Sequence, residues 1–451
     1  MVMEMSELPE GWVECNIGEI LVSKKGKKPE STTSEYHKGY YPYILIDELE
    51  GKTIRAYTND SSVPMVNKDD VLLVWDGSIG KCGSGIQGVI GSTLVGLTPL
   101  GGIPPKFLEY TIRYVNNFIK ETSTGTGLQH INKDFFNICK ILVPPLNEQK
   151  RIEEKLDRLL NKAQEAKERL QKIPVILKRF RLSILNAAVT GELTKDWRER
   201  NKVDYTWEEV TFDKLVPKGG IFDGPFGSNL KTSDYVSKGV RVIRLENLGH
   251  LKFISDKYSF INEAKYQSLK KHTVYENDIL FSSFIGDEIR ACLLPMLKDT
   301  AIAKADCFCI RPFENKVIKK YLLLQLVSGH SFSQLINNIH GATRPRINLT
   351  QLKQLLLWIC SIEEQKEIVK RVEALFKTAD EIETRYKKAK AYVDKLTQSI
   401  LAKAFRGELV PQDPNDESAE KLLERIKMEK EFSKRSNKDG TKNKRRARNR
   451  S

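Results

Sequence analysis

LNEQKRIEEKLDRLL, residues Leu146–Leu160, returns as IEEQKEIVKRVEALF at Ile362–Phe376. The spacing is fixed. Leu146 to Ile362 and Gly191 to Gly407 are both 216 positions, and residues 125–194 align with 341–410 without a gap. Within that span Ile131-Asn132 recurs as Ile347-Asn348, and Gly191-Glu192-Leu193 as Gly407-Glu408-Leu409. Upstream the match is looser. Trp12 opens one copy and Trp207 the other, and DVLLVWDGSIG (Asp70–Gly80) echoes NDILFSSFIG (Asn277–Gly286). An internal repeat of this kind sets the architecture before any local reading does.

Each repeated segment carries an a/d heptad pattern. In the first, Ile152, Leu156, Leu159, Ala163, Ala166, Leu170, Ile173, Leu177, Phe180 and Ile184 alternate four and three apart; in the second, Ile368, Val372, Leu375, Ala379, Ile382, Tyr386, Ala389, Val393, Leu396 and Ile400 do so. Pro144-Pro145 precedes the first helix, with Asn147 as the expected N-cap and Glu148 in the first turn. Ser361 and Glu364 form a capping-box pattern at the second. Gly191 and Gly407 stand where a left-handed glycine ends a helix. Pro174 predicts a kink in the first helix. Each helix is about 40 residues, or about 60 Å, and must bury its apolar stripe. Its own repeat is the expected partner. The two run antiparallel because a domain of about 160 residues joins the end of one to the start of the other. Separate packing of each helix on its own domain is the alternative.

The regions ahead of the helices are rich in short β-branched and aromatic runs such as YYPYILIDEL, GVRVIRLENL and CFCIRPF, with short helices expected at Pro105–Ile119 and Lys319–Asn337. The fold class read from sequence is therefore α+β: two β-rich mixed domains separated by two long antiparallel helices that form an intramolecular coiled coil. Expected boundaries are 1–145, domain 1; 146–200, spacer helix 1; 201–361, domain 2; 362–410, spacer helix 2; 411–433, a short helix through Leu422, Leu423 and Ile426; and 434–451, a disordered basic tail. The helix-pairing set is Ile152, Leu156, Leu159, Leu170, Leu177, Ile368, Val372, Leu375, Ile382 and Val393.

Composition narrows the function. The net charge of +15 points to a polyanion, and the tail KRSNKDGTKNKRRARNRS accounts for only part of it. No apolar run reaches the roughly 20 residues that cross a bilayer, and the start of the chain lacks a basic-then-apolar leader, so a cytoplasmic protein is expected. The seven cysteines, Cys15, Cys82, Cys139, Cys292, Cys307, Cys309 and Cys360, are scattered and read as small buried hydrophobes, without a metal site. Gly83–Gly88 matches G-x-G-x-x-G but precedes a β-like run where a pyrophosphate needs a helix N-terminus. Glu148-x-Lys150 and Glu364-x-Lys366 resemble a nuclease pair, yet at helix starts they read as first-turn surface residues. No residue set for catalysis emerges.

The binding candidates are loops. Before each helix lie STGTGLQHINK (Ser123–Lys133) and HGATRPRINL (His340–Leu349), whose flanks match while the centres differ. Gln129, His130, Arg344, Arg346 and Asn348 are of the types that read base edges; an unconstrained loop is the alternative. A second pair is VSKKGKKPESTTSEY, with Lys24, Lys25, Lys27 and Lys28, and FDGPFGSNLKTSDY, with Ser228, Asn229 and Lys231. Both suit phosphate contact, or mere solvation.

With PPLNEQKRI, IEEQKEIV, AFRGELVPQDPNDESAEKLLERI and GPFGSNLKTSDY followed by GVRVIRLENL in place, the chain resembles the specificity subunit of type I restriction–modification systems from Leu8 to Ile426. The resemblance implies that each β-rich region is a target recognition domain for one half of a split, asymmetric duplex DNA site. It implies that the helices set the gap and dock two methylation subunits, and that motor–nuclease restriction subunits join them. S-adenosylmethionine, ATP and Mg2+ would belong to those partners, which would methylate adenine and cleave DNA, leaving this chain without cofactor or catalysis. Two other readings stay open: a stand-alone DNA-modifying enzyme with an unrecognised site, and a coiled-coil assembly protein.

Overall fold

Leucine and isoleucine at heptad spacing, flanked by strong helix formers, give two helices of unusual length, Leu146–Val189 and Ile362–Ala404. The computed structural model describes residues 8–51, 53–125, 127–202, 207–337 and 345–432. The expected basic tail at 434–451 lies outside them. The chain divides into two compact units. One comprises Met1–Leu170 with Lys388–Ser451, the other Gln171–Lys387. Each unit thus holds the start of one long helix and the end of the other, which makes the pair antiparallel.

In the first unit Ile152 and Leu156 share a core with Ile400, Leu401, Ala404 and Phe405. In the second, Ile184, Leu185 and Ala188 share one with Ile368 and Val372. Burying each such aliphatic side chain contributes about 1.5–3 kcal/mol, so both ends of the pair are anchored in domain cores. Between these ends Ala163, Leu177 and Ala379 are buried, and Leu159, Leu170, Leu375 and Val393 half-buried. Phe180 and Ile382, also at heptad positions, are 37% and 40% exposed. An ideal α-helix drifts ~20° per heptad from a 3.5-residue repeat. At this level Arg181 has moved into the seam instead, over the Phe376 ring and bonded to Asp380 (2.7 Å) and Glu383 (3.1 Å). The first helix continues through Pro174, which has no N–H for the preceding turn.

Both helices end as the sequence implies, with Gly191 at φ 77° and Gly407 at φ 75°. Their starts correct the expectation. The first begins at Leu146, so Asn147 lies inside it and donates to Asp416 (3.2 Å) instead of capping. At the second, Ser361 Oγ accepts the Glu364 N–H (3.2 Å), but the Glu364 carboxylate turns away to Thr194 Oγ1 (2.7 Å) and the Arg198 guanidinium. Nor are the first-turn glutamates on the surface, although Lys150 and Lys366 are exposed as expected. Glu148, Gln149, Glu364 and Gln365 are all buried. Glu148 accepts from the Trp12 indole at 3.0 Å. Gln365 donates to the Cys360 carbonyl and accepts the Ile318 N–H (2.8 Å) at the start of helix Lys319–Val327. Gln149 donates likewise to Pro144 O (2.9 Å), but Pro104 stands where Ile318 does and offers no N–H, which leaves Gln149 Oε1 without a protein partner.

The sheets repeat as well. In the first unit an antiparallel sheet runs Leu21–Lys25, Leu94–Pro99, Val71–Val74, Cys82–Ser84. Its counterpart in the second runs Ile221–Phe222, Cys307–Ile310, Ile279–Ser282, Ala291–Leu293. Each unit adds a mixed sheet around one parallel pair, Tyr41–Ile44 with Gly88–Ile90 or Val240–Ile243 with Ala301–Ala303. A two-stranded ribbon, Val13–Asn16 with Lys140–Val143 or Glu208–Thr211 with Leu356–Ile359, leads into the long helix of its copy. The Gly83–Gly88 stretch joins strand Cys82–Ser84 to strand Gly88–Ile90, an arrangement with no helix to hold a pyrophosphate. Six cysteines are buried and Cys82 is partly so, and burial pushes the Cys15, Cys82, Cys139, Cys292 and Cys360 thiols up to about 12. The segment 419–432 is helical, with Leu422, Leu423 and Ile426 in the first unit's core.

Candidate nucleic-acid interface

The loop ahead of each long helix is seated on the strand that crosses the middle of the antiparallel sheet. In the first unit Val71–Val74 runs out into Trp75-Asp76-Gly77. The Trp75 N–H donates to Thr93 O (2.8 Å), the Ile131 N–H to Trp75 O (3.0 Å) and the Gly77 N–H to Gln129 O (2.9 Å). Gly77 adopts φ 89°, a conformation that favours glycine. In the second unit Ile279–Ser282 runs out into Ser283-Phe284-Ile285. There the Ser283 N–H donates to Asp306 O (2.9 Å), the Ile347 N–H to Ser283 O (2.9 Å) and the Ile285 N–H to Pro345 O (3.0 Å). The two hydrogen-bond patterns are the same, and they set His130 and Arg346, 216 positions apart, at one equivalent place, bridged to Asp76 and Phe284.

Different side chains fill that common frame. His130 Nδ1 lies 2.7 Å from Asp76 Oδ1, and Lys25 Nζ 2.6 Å from Asp76 Oδ2. Lys25 also sits over the Trp75 ring, 5.6 Å from its centroid. Burial raises the Asp76 carboxyl, but the hydrogen bonds from His130 and Lys25 outweigh it and hold the group below its ordinary value. In the second unit Arg346 is ion-paired to Asp306 and lies over two rings, Phe226 at 5.6 Å and Phe284 at 5.7 Å. Phe226 is 50% exposed. It reaches Arg346 because Gly224 packs its bare Cα against the Lys304 backbone, where a Cβ would come within 2.1 Å of the carbonyl carbon. Asp223 tightens the same corner: Oδ1 accepts the Gly224 (2.7 Å) and Asp306 (2.9 Å) N–H groups. Burial pushes its carboxyl up to about 6.

The remaining sequence candidates fall around these centres. Lys24, Lys27 and Lys28 are exposed beside Lys25, and Gln129 is exposed next to His130. Asn229 and Lys231 are exposed on the loop that carries Phe226, and Ser228 lies in the same turn. Asn348 caps helix Leu349–Lys353, its side-chain oxygen accepting the Gln351 N–H at 2.9 Å. Arg344 lies outside the described residues. Sequence reading missed Asp76, Asp306, Trp75, Phe226 and Phe284. One signal existed: the strand echo aligns Trp75-Asp76 with Ser283-Phe284, so an aromatic stands beside each loop at a shifted position, but it gives no sign of Asp306. Among the described residues no group of three or more His, Cys, Asp or Glu is placed to hold a metal ion. None of their helices is long and apolar enough to cross a membrane.

A guanidinium or imidazole held by a carboxylate beside exposed aromatic surface, in a basic chain, suits the edge of a nucleic-acid base better than a small apolar ligand. Comparison with known proteins agrees. The type I restriction modification DNA specificity domain matches residues 9–175 and again 231–391, one copy in each half. The EcoDI specificity subunit of Escherichia coli is 30% identical over 466 residues, covering 95% of this chain and 97% of that one. The StySPI specificity subunit of Salmonella potsdam is 30% identical over 462 residues, covering 96% and 98%. Among solved structures, a chain from a study of assembly of the type I R-M system superposes with a TM-score of 0.67 at 18% identity, over 89% of this chain and 99% of that chain. The HsdS subunit from Thermoanaerobacter tengcongensis gives 0.55 at 17%, over 90% and 100%.

Proposed function

Because the chain belongs to the family of type I restriction–modification DNA specificity subunits, we propose that it reads a split, asymmetric duplex DNA site, one half with each domain. Membership makes it the DNA-binding, non-catalytic subunit of such a complex, assembled with methylation and restriction subunits. It displaces the stand-alone enzyme and the assembly protein as readings. Chemistry that needs S-adenosylmethionine, ATP or Mg2+ falls to those partners. We propose a cytoplasmic location, where such a complex would meet cellular DNA.

One observation carries the two-reader proposal. The same three backbone hydrogen bonds present His130 with Gln129 in one unit and Arg346 in the other. A shared frame gives both domains one mode of approach, and different side chains give different half-sites. Arg346 and Gln129 are of the residue types that pair with guanine and adenine edges. Lys24, Lys25, Lys27, Lys28, Asn229 and Lys231 supply sequence-independent phosphate contacts. Residues 1–145 and 201–361 are the two readers. The helices between set the unspecified gap and dock two methylation subunits, with Ile152, Leu156, Ile368 and Val372 among the residues that pair them.

The test is to co-express the chain with its methylation subunit in a host lacking adenine methylation and to map the modified bases. A two-part motif with unlike halves is expected. Methylation at a single continuous motif, or at a palindrome, would overturn the two-reader proposal.

A further inference from the structure

Both reading centres contain a cation, an acid and an aromatic ring, but not at matching positions. Ser283 bonds to Asp306 as Trp75 bonds to Thr93, so Asp306 and Thr93 occupy equivalent places, as do Phe284 and Asp76. In the first unit the acid stands at the strand end, as Asp76, while Thr93 fills the other place. In the second unit Phe284 fills the strand end, and the acid has moved across to Asp306. The aromatic moves too, from Trp75 in one unit to Phe284 in the other. Carry-over from duplication would leave the acid in one place. A requirement that the loop cation be gripped permits either.

Asp306 is held for this purpose. It adopts φ 73°, a left-handed conformation in which a residue other than glycine is uncommon. Its N–H donates to Asp223 (2.9 Å), and its Oδ1 accepts the Ser283 hydroxyl (3.0 Å) as well as Arg346. A carboxylate held by the Ser283 hydroxyl, on a backbone tied to Asp223, together with Phe226 and Phe284, removes most of the freedom of a long side chain. Nη2 meets the carboxylate and the Arg346 side chain stays 45% exposed, so the guanidinium can still face a base. A planar fork restrained in this way matches O6 and N7 of guanine.

On the reading proposed above, we infer that Asp306 and Asp76 are positioning residues for base recognition, and that Asp306 presents Arg346 to a guanine in the second domain's half-site. Neither carboxylate need touch the base being read. Each fixes the side chain that does, and each acts on its own half of the site.

The experiment is selection of bound duplexes from a randomised DNA pool by the complex with its methylation subunits, using wild type, Arg346→Ala, Asp306→Asn and Asp76→Asn. Asparagine tolerates the left-handed region, so Asp306→Asn keeps the backbone turn. Arg346→Ala should lower discrimination at one G·C pair by about 5- to 150-fold. Asp306→Asn should relax the same pair by about tenfold and leave the other half-site unchanged. Asp76→Asn should do the reverse. If Arg346→Ala relaxes a pair that Asp306→Asn leaves intact, the positioning role is overturned and base reading stands. If the relaxed pair is not G·C, the guanine assignment is overturned. If Arg346→Ala weakens all duplexes equally, base reading by that residue fails as well.

Discussion

Removing the Glu364 carboxylate should destabilise the second unit far more than removing Glu148 destabilises the first, although the two occupy equivalent helix starts. Glu364 is fully buried and accepts from Thr194 Oγ1 and from the Arg198 guanidinium. Breaking a buried pair by deleting one partner costs about 3–5 kcal/mol, because the survivor is left charged. Arg198 keeps 23% of its side chain exposed, so water recovers part of that. For Glu364→Ala we arrive at about 2–3 kcal/mol, or a fall of about 5–10 °C in Tm for a unit of this size. The second oxygen lacks a protein partner in both residues, whereas Glu148 has only a neutral partner for the first, the Trp12 indole. Its loss leaves one orphaned N–H but also removes a poorly solvated carboxylate, for a net cost of about 1 kcal/mol. Differential scanning fluorimetry of the full chain is the assay, with Glu364→Gln as an intermediate case. A Glu364→Ala melt within about 1 °C of wild type, or equal losses for the two alanine variants, would refute the reasoning.

The same asymmetry has a pH signature. Burial holds the Glu148 carboxyl above its ordinary value, so the folded state binds its proton more tightly than the unfolded state. Its contribution is fully present below the unfolded pKa and is lost as pH rises through the folded one; Glu148→Gln should flatten the melting curve across that window, and an unchanged slope would count against it. Four residues added to the middle of the first helix lengthen it by about 6 Å, so the mapped gap between half-sites should grow by one or two base pairs. A gap that stays fixed, with methylation retained, would end the idea that the helices set it.

Much of this architecture was legible because it is periodic or local. Heptads, the helix-ending glycines Gly191 and Gly407, and the strand runs each announce themselves within a few residues. What stayed hidden depends on distant partners. Glu148-Gln149 and Glu364-Gln365 look like surface residues by type, and only Trp12, 136 positions away, and Thr194, 170 positions away, explain their burial. The reading centres were half visible. Position 346 stood out because its loop differed from its repeat, whereas Asp306 came from a strand start with nothing in its neighbourhood to mark it. Ile382 shows a third kind of limit. A strict heptad count puts it in the seam, but the helix drifts and Arg181 takes that space.

The exchange of acid and aromatic between the two frames has a consequence for how such a protein changes its target. Three backbone hydrogen bonds fix where the loop lies whatever side chain it carries. A new cation at the position of His130 or Arg346 therefore needs no new backbone, only a carboxylate within reach, and two places can supply it. The first unit meets the demand with Asp76 holding two side chains, the His130 imidazole and the Lys25 ammonium. The second meets it with Asp306 gripping one, flanked by two rings. Planar Arg346 suits a bidentate match to a single base, whereas the His130–Lys25 pair spreads its donors over a wider arc. Two halves built on one frame can thus diverge in what they read while the approach to the duplex stays the same. Grafting Asp306 with Arg346 should move a half-site preference that Arg346 grafted alone does not.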